Sequence, residues 1–179
     1  MLSVTIPSEE FFNERTGEFV MVDGKTIQME HSLISVSKWE AKWKTPFFTD
    51  KQKTIPQIVD YYRCMTVTPN VNPMIFRMIR GENEKKIWDY INDSQTATTI
   101  KRSGAKKGHE ILTSELIYYY MTALNIPFEC EKWHMSRLLT LIEVASIKSQ
   151  PSKKMGKKDI YNQNRALNAA RRAKSGNRG

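Results

Sequence analysis

Cys130 and His134 stand four residues apart in Phe128-Glu-Cys-Glu-Lys-Trp-His134, within a stretch whose pattern predicts a helix. On a helix that spacing places a thiol and an imidazole on one face, where both can ligate one metal ion. Structural zinc usually takes four such ligands. The remaining candidates, Cys64, His31 and His109, show no paired spacing, so a buried thiol and a hydrogen-bonded histidine explain the pair better than zinc. The same stretch contains Glu131-Lys-Trp-His134, the Glu-x-x-His element of di-iron bundles. Such sites use it twice, with further inward glutamates; it occurs once here. Neither Lys106-Lys-Gly-His109 nor Ser103-Gly-Ala has the spacing of a phosphate-binding loop, and there is no Gly-x-Ser-x-Gly elbow. No pair of carboxylates is set beside a histidine by spacing alone. The expectation is a chain without catalytic residues, cofactor or metal.

What remains is charge. The 179 residues carry 28 Lys and Arg against 19 Asp and Glu, a net +9, and the excess is not spread evenly. Residues 1–150 hold 19 basic and 18 acidic side chains. Residues 151–179 hold Lys153, Lys154, Lys157, Lys158, Arg165, Arg171, Arg172, Lys174 and Arg178 against Asp159 alone, and net +8. A near-neutral body thus carries a cationic tail. Three readings stay open for it: contact with a phosphate backbone, electrostatic docking on an acidic protein, and a solvated solubility tail. A membrane reading is weaker, because the tail has few Trp, Phe or Leu anchors. A second basic segment, Lys101-Arg-Ser-Gly-Ala-Lys-Lys-Gly108, reads as a mobile loop. The run Tyr118-Tyr-Tyr120 and the four tryptophans invite a base-stacking reading. The tyrosines lie among Leu116, Ile117, Met121 and Leu124 without interleaved cations, so core is the better assignment.

The elements that must position these groups fall into a β-rich start and a helical remainder. Leu2, Val4 and Ile6 alternate with polar residues as a half-buried strand does. Phe19-Val-Met-Val22 and Thr26-Ile-Gln-Met29 flank Asp23-Gly24, which predicts a hairpin, with residues 2–6 as a possible third strand. From Ser32, a candidate cap alongside Ser35, Val36, Trp39, Glu40 and Trp43 fall at helical spacing, and Pro46 ends the pattern. Thr54-Ile-Pro-Gln57 is a capping box opening a helix with Ile58, Val59, Tyr62 and Met65. Asn72-Pro73 starts a short helix through Arg80 with Gly81 as its stop. Residues 82–92 place Ile87, Tyr90 and Ile91 on one side. Two long apolar patterns, 110–124 and 127–148, joined by Asn125-Ile-Pro127, predict a central helical hairpin. Residues 150–156 read as a linker. Asp159 can cap a last helix, 160–174, which with Ile160, Leu167 and a few alanines is marginal alone, and so docked or partly frayed.

The fold class expected is therefore mainly helical α+β. A hairpin or three-strand sheet in residues 1–30 precedes a helical bundle in 32–148, together one domain of residues 1–150, with a basic helix or tail in 151–179. Hydrophobic residues make up 40% of the chain, enough for a core at this length. Two cysteines build no disulfide scaffold and suit a reducing compartment. No signal peptide is legible, and the apolar run 116–124 falls far short of the roughly 20 residues that cross a bilayer. The expectation is a soluble cytoplasmic protein.

Four stretches carry a family resemblance. They are Met29-Glu-His-Ser-Leu-Ile-Ser-Val-Ser-Lys-Trp-Glu-Ala-Lys-Trp-Lys-Thr-Pro-Phe47, Cys64-Met-Thr-Val-Thr-Pro-Asn70, the segment 116–142 around Tyr118-Tyr-Tyr-Met-Thr-Ala-Leu-Asn-Ile-Pro127, and Asn164-Arg-Ala-Leu-Asn-Ala-Ala-Arg-Arg-Ala-Lys174. Together they resemble the tail assembly chaperones encoded in the tail-gene region of long-tailed bacteriophages, in the short form. The resemblance implies a non-enzymatic assembly factor in the host cytoplasm, absent from the finished virion. It implies binding to the tape measure protein, a long helical chain, while tail tube protein polymerises around it, and it leaves self-association open. It carries over no catalytic residue. The alternative is a nucleic-acid-binding phage accessory protein acting through 101–108 and 151–179. A long amphipathic client aggregates unless its apolar stripe is covered, and a helical body rich in Met can cover it.

Overall fold

The computed structural model describes residues 1–100, 111–149 and 156–175. The chain forms two compact units, Met1–Ile147 and Lys148–Gly179. Among the described residues the first is α+β: four strands, then helices. The basic loop expected at 101–108 lies outside the described residues.

The strands are Leu2–Ile6 (β1), Glu9–Asn13 (β2), Glu18–Val22 (β3) and Lys25–Met29 (β4). The pairing differs from the expected hairpin across Asp23-Gly24. β1 pairs antiparallel with β4, from Leu2↔Met29 to Ile6↔Lys25, and β2, a strand the sequence reading did not foresee, pairs with β3, from Glu9↔Val22 to Asn13↔Glu18. The two registers run on without a slip, so the four strands form one long ribbon interrupted where Pro7 and Ser8 face Gly24 and Asp23. Pro7 has no N–H to give the ladder. Gly24 is there for space and not for a turn. A Cβ on it would sit 2.5 Å from the Ile6 carbonyl oxygen and 2.6 Å from the Pro7 carbonyl carbon and the Ser8 nitrogen. Its N–H instead donates to Ser8 Oγ at 2.8 Å. The true reversal is at residues 14–17, where Gly17 takes a φ of +70°. On the inner ribbon, Val4, Ile6, Ile27 and Met29 face the core, while Thr5–Thr26 and Ser3–Gln28 hydrogen bonds knit the outer face.

The first helix, Leu33–Trp43 (α1), starts where expected. Ser32 and Ser35 cap each other reciprocally, each side chain accepting from the other's backbone N–H. It ends at Lys44 in the left-handed conformation, before Pro46 is reached. Ile55–Met65 (α2) opens with Gln57 Oε1 accepting the Thr54 N–H. Pro73–Arg77 (α3) opens with Asn72 Oδ1 accepting the Met74 N–H, and stops short of the expected Arg80. Glu82–Asn92 (α4) follows Gly81, whose φ is +57°. Ser114–Ala123 (α5) is capped by Thr113.

The second arm of the expected helical hairpin is not one helix. Residues 127–148 divide into a short 3-10 helix, Phe128–Lys132, and Met135–Ser149 (α6). The chain leaves the helical path at Trp133 and His134 because His134 forms a β-bridge with Ser32, and the Met135 N–H donates to the His31 carbonyl at 2.7 Å. Cys130 and His134 therefore never share a helix face, and the metal argument built on their spacing fails at its premise, as does that for Glu131-x-x-His134.

The core gathers Leu33, Val36 and Trp39 of α1, Tyr61, Tyr62 and Met65 of α2, Ile87 of α4, Ile117 and Met121 of α5, and Met135 and Leu138 of α6 against the ribbon. α1 packs on α2, on α5 and on the 3-10 helix. The tyrosine run does not behave as core throughout: Tyr118 is half-buried but Tyr119 is 64% exposed. In the second unit, Lys157–Ser175 (α7) begins two residues before Asp159, which lies in its first turn.

Replacing Gly24 by Ala forces a methyl into rigid backbone, so a loss of about 2 kcal/mol or more is expected in urea unfolding. Gly17→Ala, strained in φ but with open space around its Cβ, is expected to cost about 1 kcal/mol. Equal losses at the two sites would contradict the close approach assigned to Gly24.

Candidate functional site

Buried and half-buried polar residues form a connected seam around residues 28–32. Glu30 N–H donates to the Met65 carbonyl at 2.8 Å and Val67 N–H to the Gln28 carbonyl at 2.8 Å, so the end of α2 pairs with the strand end. On the other side stand the Ser32↔His134 bridge and the Met135–His31 bond. Side chains repeat the pattern. His31 Nδ1 lies 2.5 Å from the Tyr61 hydroxyl, and His134 stacks edge-on against both His31 and Tyr90. His134 Nε2 hydrogen-bonds the Tyr90 carbonyl, and the Tyr90 hydroxyl donates to Glu30. Burial holds the His31 imidazole far below its ordinary pKa, at about 3, with the nearby His134 adding to it. Burial likewise lowers His134 and raises the hydroxyls of Tyr61 and Tyr90. His31 is only 3% exposed, but Glu30, Ser32 and Ser35 at the edge of the seam line an open pocket of about 370 Å³ with Cys64 and Lys132. The groups of the seam hold elements together.

Glu40 does the same one turn before the end of α1. Its buried carboxylate accepts the Phe47 N–H at 2.6 Å and the Ser114 N–H at 2.8 Å, at the N-terminus of α5. Asp60 is a second buried carboxylate. Burial opposes its ionisation, but hydrogen bonds from Lys42 and Trp43 and the charge of Arg63 outweigh that and hold its carboxyl below the usual range.

The nine cations proposed as a partner site are only partly in view. Lys153, Lys154 and Arg178 lie outside the described residues, and of Lys157 only the backbone is described. Lys158, Arg165, Arg171, Arg172 and Lys174 are exposed on α7. They do not share one face. Lys158, Arg165 and Arg172 recur every seven residues beside Tyr161 and Asn168, whereas Lys174 falls on the opposite side with Ile160 and Leu167, and Arg171 lies between the two. Among the described residues, no group of three or more His, Cys, Asp or Glu is placed to hold a metal ion, and no helix is long and apolar enough to cross a membrane.

Exposed apolar side chains, unlike the buried polar ones, are available to a partner. On the outer ribbon Phe12 (55% exposed) is paired in register with Phe19 (66%), their ring centroids 5.1 Å apart, and Met21 (60%) continues the same face. On the ribbon's other face Phe11, Val20 and Val22 line a groove of about 540 Å³ with Met74. The sequence reading missed Phe12. Its signal was the aromatic pair Phe11-Phe12 shortly before the Arg15-Thr-Gly17 turn and the apolar run from Phe19. Comparison of the chain with protein-family models, curated proteins and solved structures finds no match in any of the three.

Glu40→Ala leaves two buried backbone N–H groups without acceptors and is expected to cost about 2–4 kcal/mol of stability in urea unfolding. Because the folded-state pKa of His31 is depressed, its contribution is fully present above about pH 6.5 and is lost as pH falls toward 3. Urea midpoints at pH 7 and pH 4 are expected to show an extra loss on the order of 3 kcal/mol in the native chain that His31→Gln lacks. Parallel pH curves for the two proteins would contradict this assignment.

Proposed function

We propose that this protein is a non-enzymatic tail assembly chaperone of the short form, which binds the tape measure protein in the host cytoplasm while tail tube protein assembles around it. The observation that carries the reading is the division of its side chains. Among the described residues the interacting histidines and the carboxylates of Glu40 and Asp60 are taken up in structural bonds, while the outer ribbon presents Phe12, Phe19 and Met21 to water. Paired aromatics left exposed at a projecting ribbon gain free energy only when something covers them. A chaperone for a long apolar-striped helix needs such surface, and an enzyme does not. The choice of the tape measure protein as client rests on the resemblance of the four sequence stretches to tail assembly chaperones.

The alternative reading, a nucleic-acid accessory protein, draws on α7. Its Lys158, Arg165 and Arg172 stripe suits a phosphate backbone, with binding that falls steeply as salt rises.

Co-expression with the tape measure gene decides between them. The chaperone reading expects soluble tape measure protein to rise several-fold and to co-purify, and expects Phe12→Ser with Phe19→Ser to reverse much of that rise. A tape measure protein that stays insoluble, together with salt-sensitive nucleic-acid binding lost when the cations of α7 are replaced by Gln, overturns it.

A further inference from the structure

A groove of about 740 Å³ runs between α1, α2 and α3 on the first unit. Its walls are apolar: Trp43, Ile55, Val59 and Phe76 contribute, and Ile55, at the first position of α2, is 78% exposed. Its rim is cationic, from Lys42, Arg63 and Arg77. The carboxylate lining this groove, Asp60, is already spent. Lys42 Nζ lies 2.6 Å from its Oδ1, Arg63 pairs with the same oxygen at 3.0 Å, and the Trp43 indole N–H donates to Oδ2. Arg77 has no ion pair among the described residues. Three cations against one internally satisfied carboxylate leave the rim positive around an apolar floor, although residues 1–150 as a whole are near neutral. That is a local excess which the tail does not explain.

We infer that this groove docks an amphipathic helix whose apolar stripe is flanked by Asp and Glu. The floor accepts side chains at i, i+3 or i+4 and i+7, as helix-in-groove sites do. Arg63 and Arg77 set the sign of the flanks, because a basic-flanked helix would bring like charges together over a low-dielectric floor. The inference rests on the chaperone reading and names the client segment: an acidic-flanked stretch of the helical chain, held by the body and not by the cationic tail.

The test uses the full chain and two synthetic peptides of about 20 residues, long enough to hold helical structure in a complex. They share leucines at helical spacing and differ only in glutamate or lysine flanks. Fluorescence anisotropy is expected to show the glutamate peptide binding about tenfold tighter or better. Ile55→Glu and Arg77→Glu are each expected to weaken it about tenfold, with unchanged circular dichroism and urea midpoints. Both side chains are exposed, and an acid at the first turn of α2 suits the helix dipole. Replacing Lys158, Arg165, Arg171, Arg172 and Lys174 by Gln is expected to leave peptide binding intact.

Equal affinity for the two peptides overturns the inference. So does binding abolished by the tail substitutions and untouched by Ile55→Glu. So does loss of the peptide to competing vesicles of anionic lipid that bind through Arg77, since the groove would then be a lipid site. If the tape measure protein stays insoluble on co-expression while the glutamate peptide binds, the chaperone reading falls and the groove stands. If the client is rescued equally by the Ile55→Glu and Arg77→Glu variants, the groove falls and the reading stands.

Discussion

Backbone amides in a dry core must find partners, and the five residues from Gln28 to Ser32 are where this fold meets that demand. They leave the ribbon as its last strand and enter the core before α1 begins. One side of the segment is satisfied by the end of α2, the other by the turn into α6. Two parts of the chain far apart in sequence are thereby fastened to one short extended segment. The His31–Tyr61 bond, the His134 stack and the Tyr90–Glu30 bond follow from the same demand, since polar side chains carried into that space must be paired or they destabilise it. The helical body is built outward from a piece of strand.

That seam also divides what was legible in the sequence from what was not. Helix starts were readable because their causes are local. Ser32 with Ser35, Thr54 with Gln57, and Asn72-Pro73 announce themselves within three residues, and each caps the helix it was expected to cap. Partnerships across the chain were not readable. Asp23-Gly24 carries the composition of a tight turn, but its glycine serves a backbone crossing, and the choice between those uses depends on Pro7 and Ser8, sixteen residues away. The unbroken apolar pattern of 127–148 hid the break at Trp133 and His134. The break arises from a backbone bond to His31, and backbone bonds leave no mark in side-chain periodicity. Tyr119 was misplaced for a related reason: a run of three aromatics on a helix cannot all face one way.

The candidate site shows the same division. The cationic tail was visible because charge is countable. The apolar ribbon face was half visible, through the strand at Phe19 and Met21, and its other half, Phe12, was assigned to no strand. The groove at α1, α2 and α3 was not visible at all. It exists because Asp60 draws Lys42, Trp43 and Arg63 to one point, and this brings a tryptophan and two cations beside Ile55 and Phe76. A buried carboxylate here organises an exterior surface.

The ribbon has a mechanical side as well. Beyond Gly24 the outer strands extend five residues, about 17 Å at the rise of a strand. The inner strands are clamped into the core by Val4, Ile6, Ile27 and Met29. The outer ribbon bends at Gly24 with Ser8 and is held again where the buried Val22 and the half-buried Phe11 pack against the core. Force or binding energy applied at the aromatic tip reaches the body through the crossing, the Val22 and Phe11 packing and the Arg80–Glu9 ion pair together. Stiffness at these anchors sets how freely the tip samples orientations, and with it the entropy lost on capture, before any contact chemistry at the tip is considered.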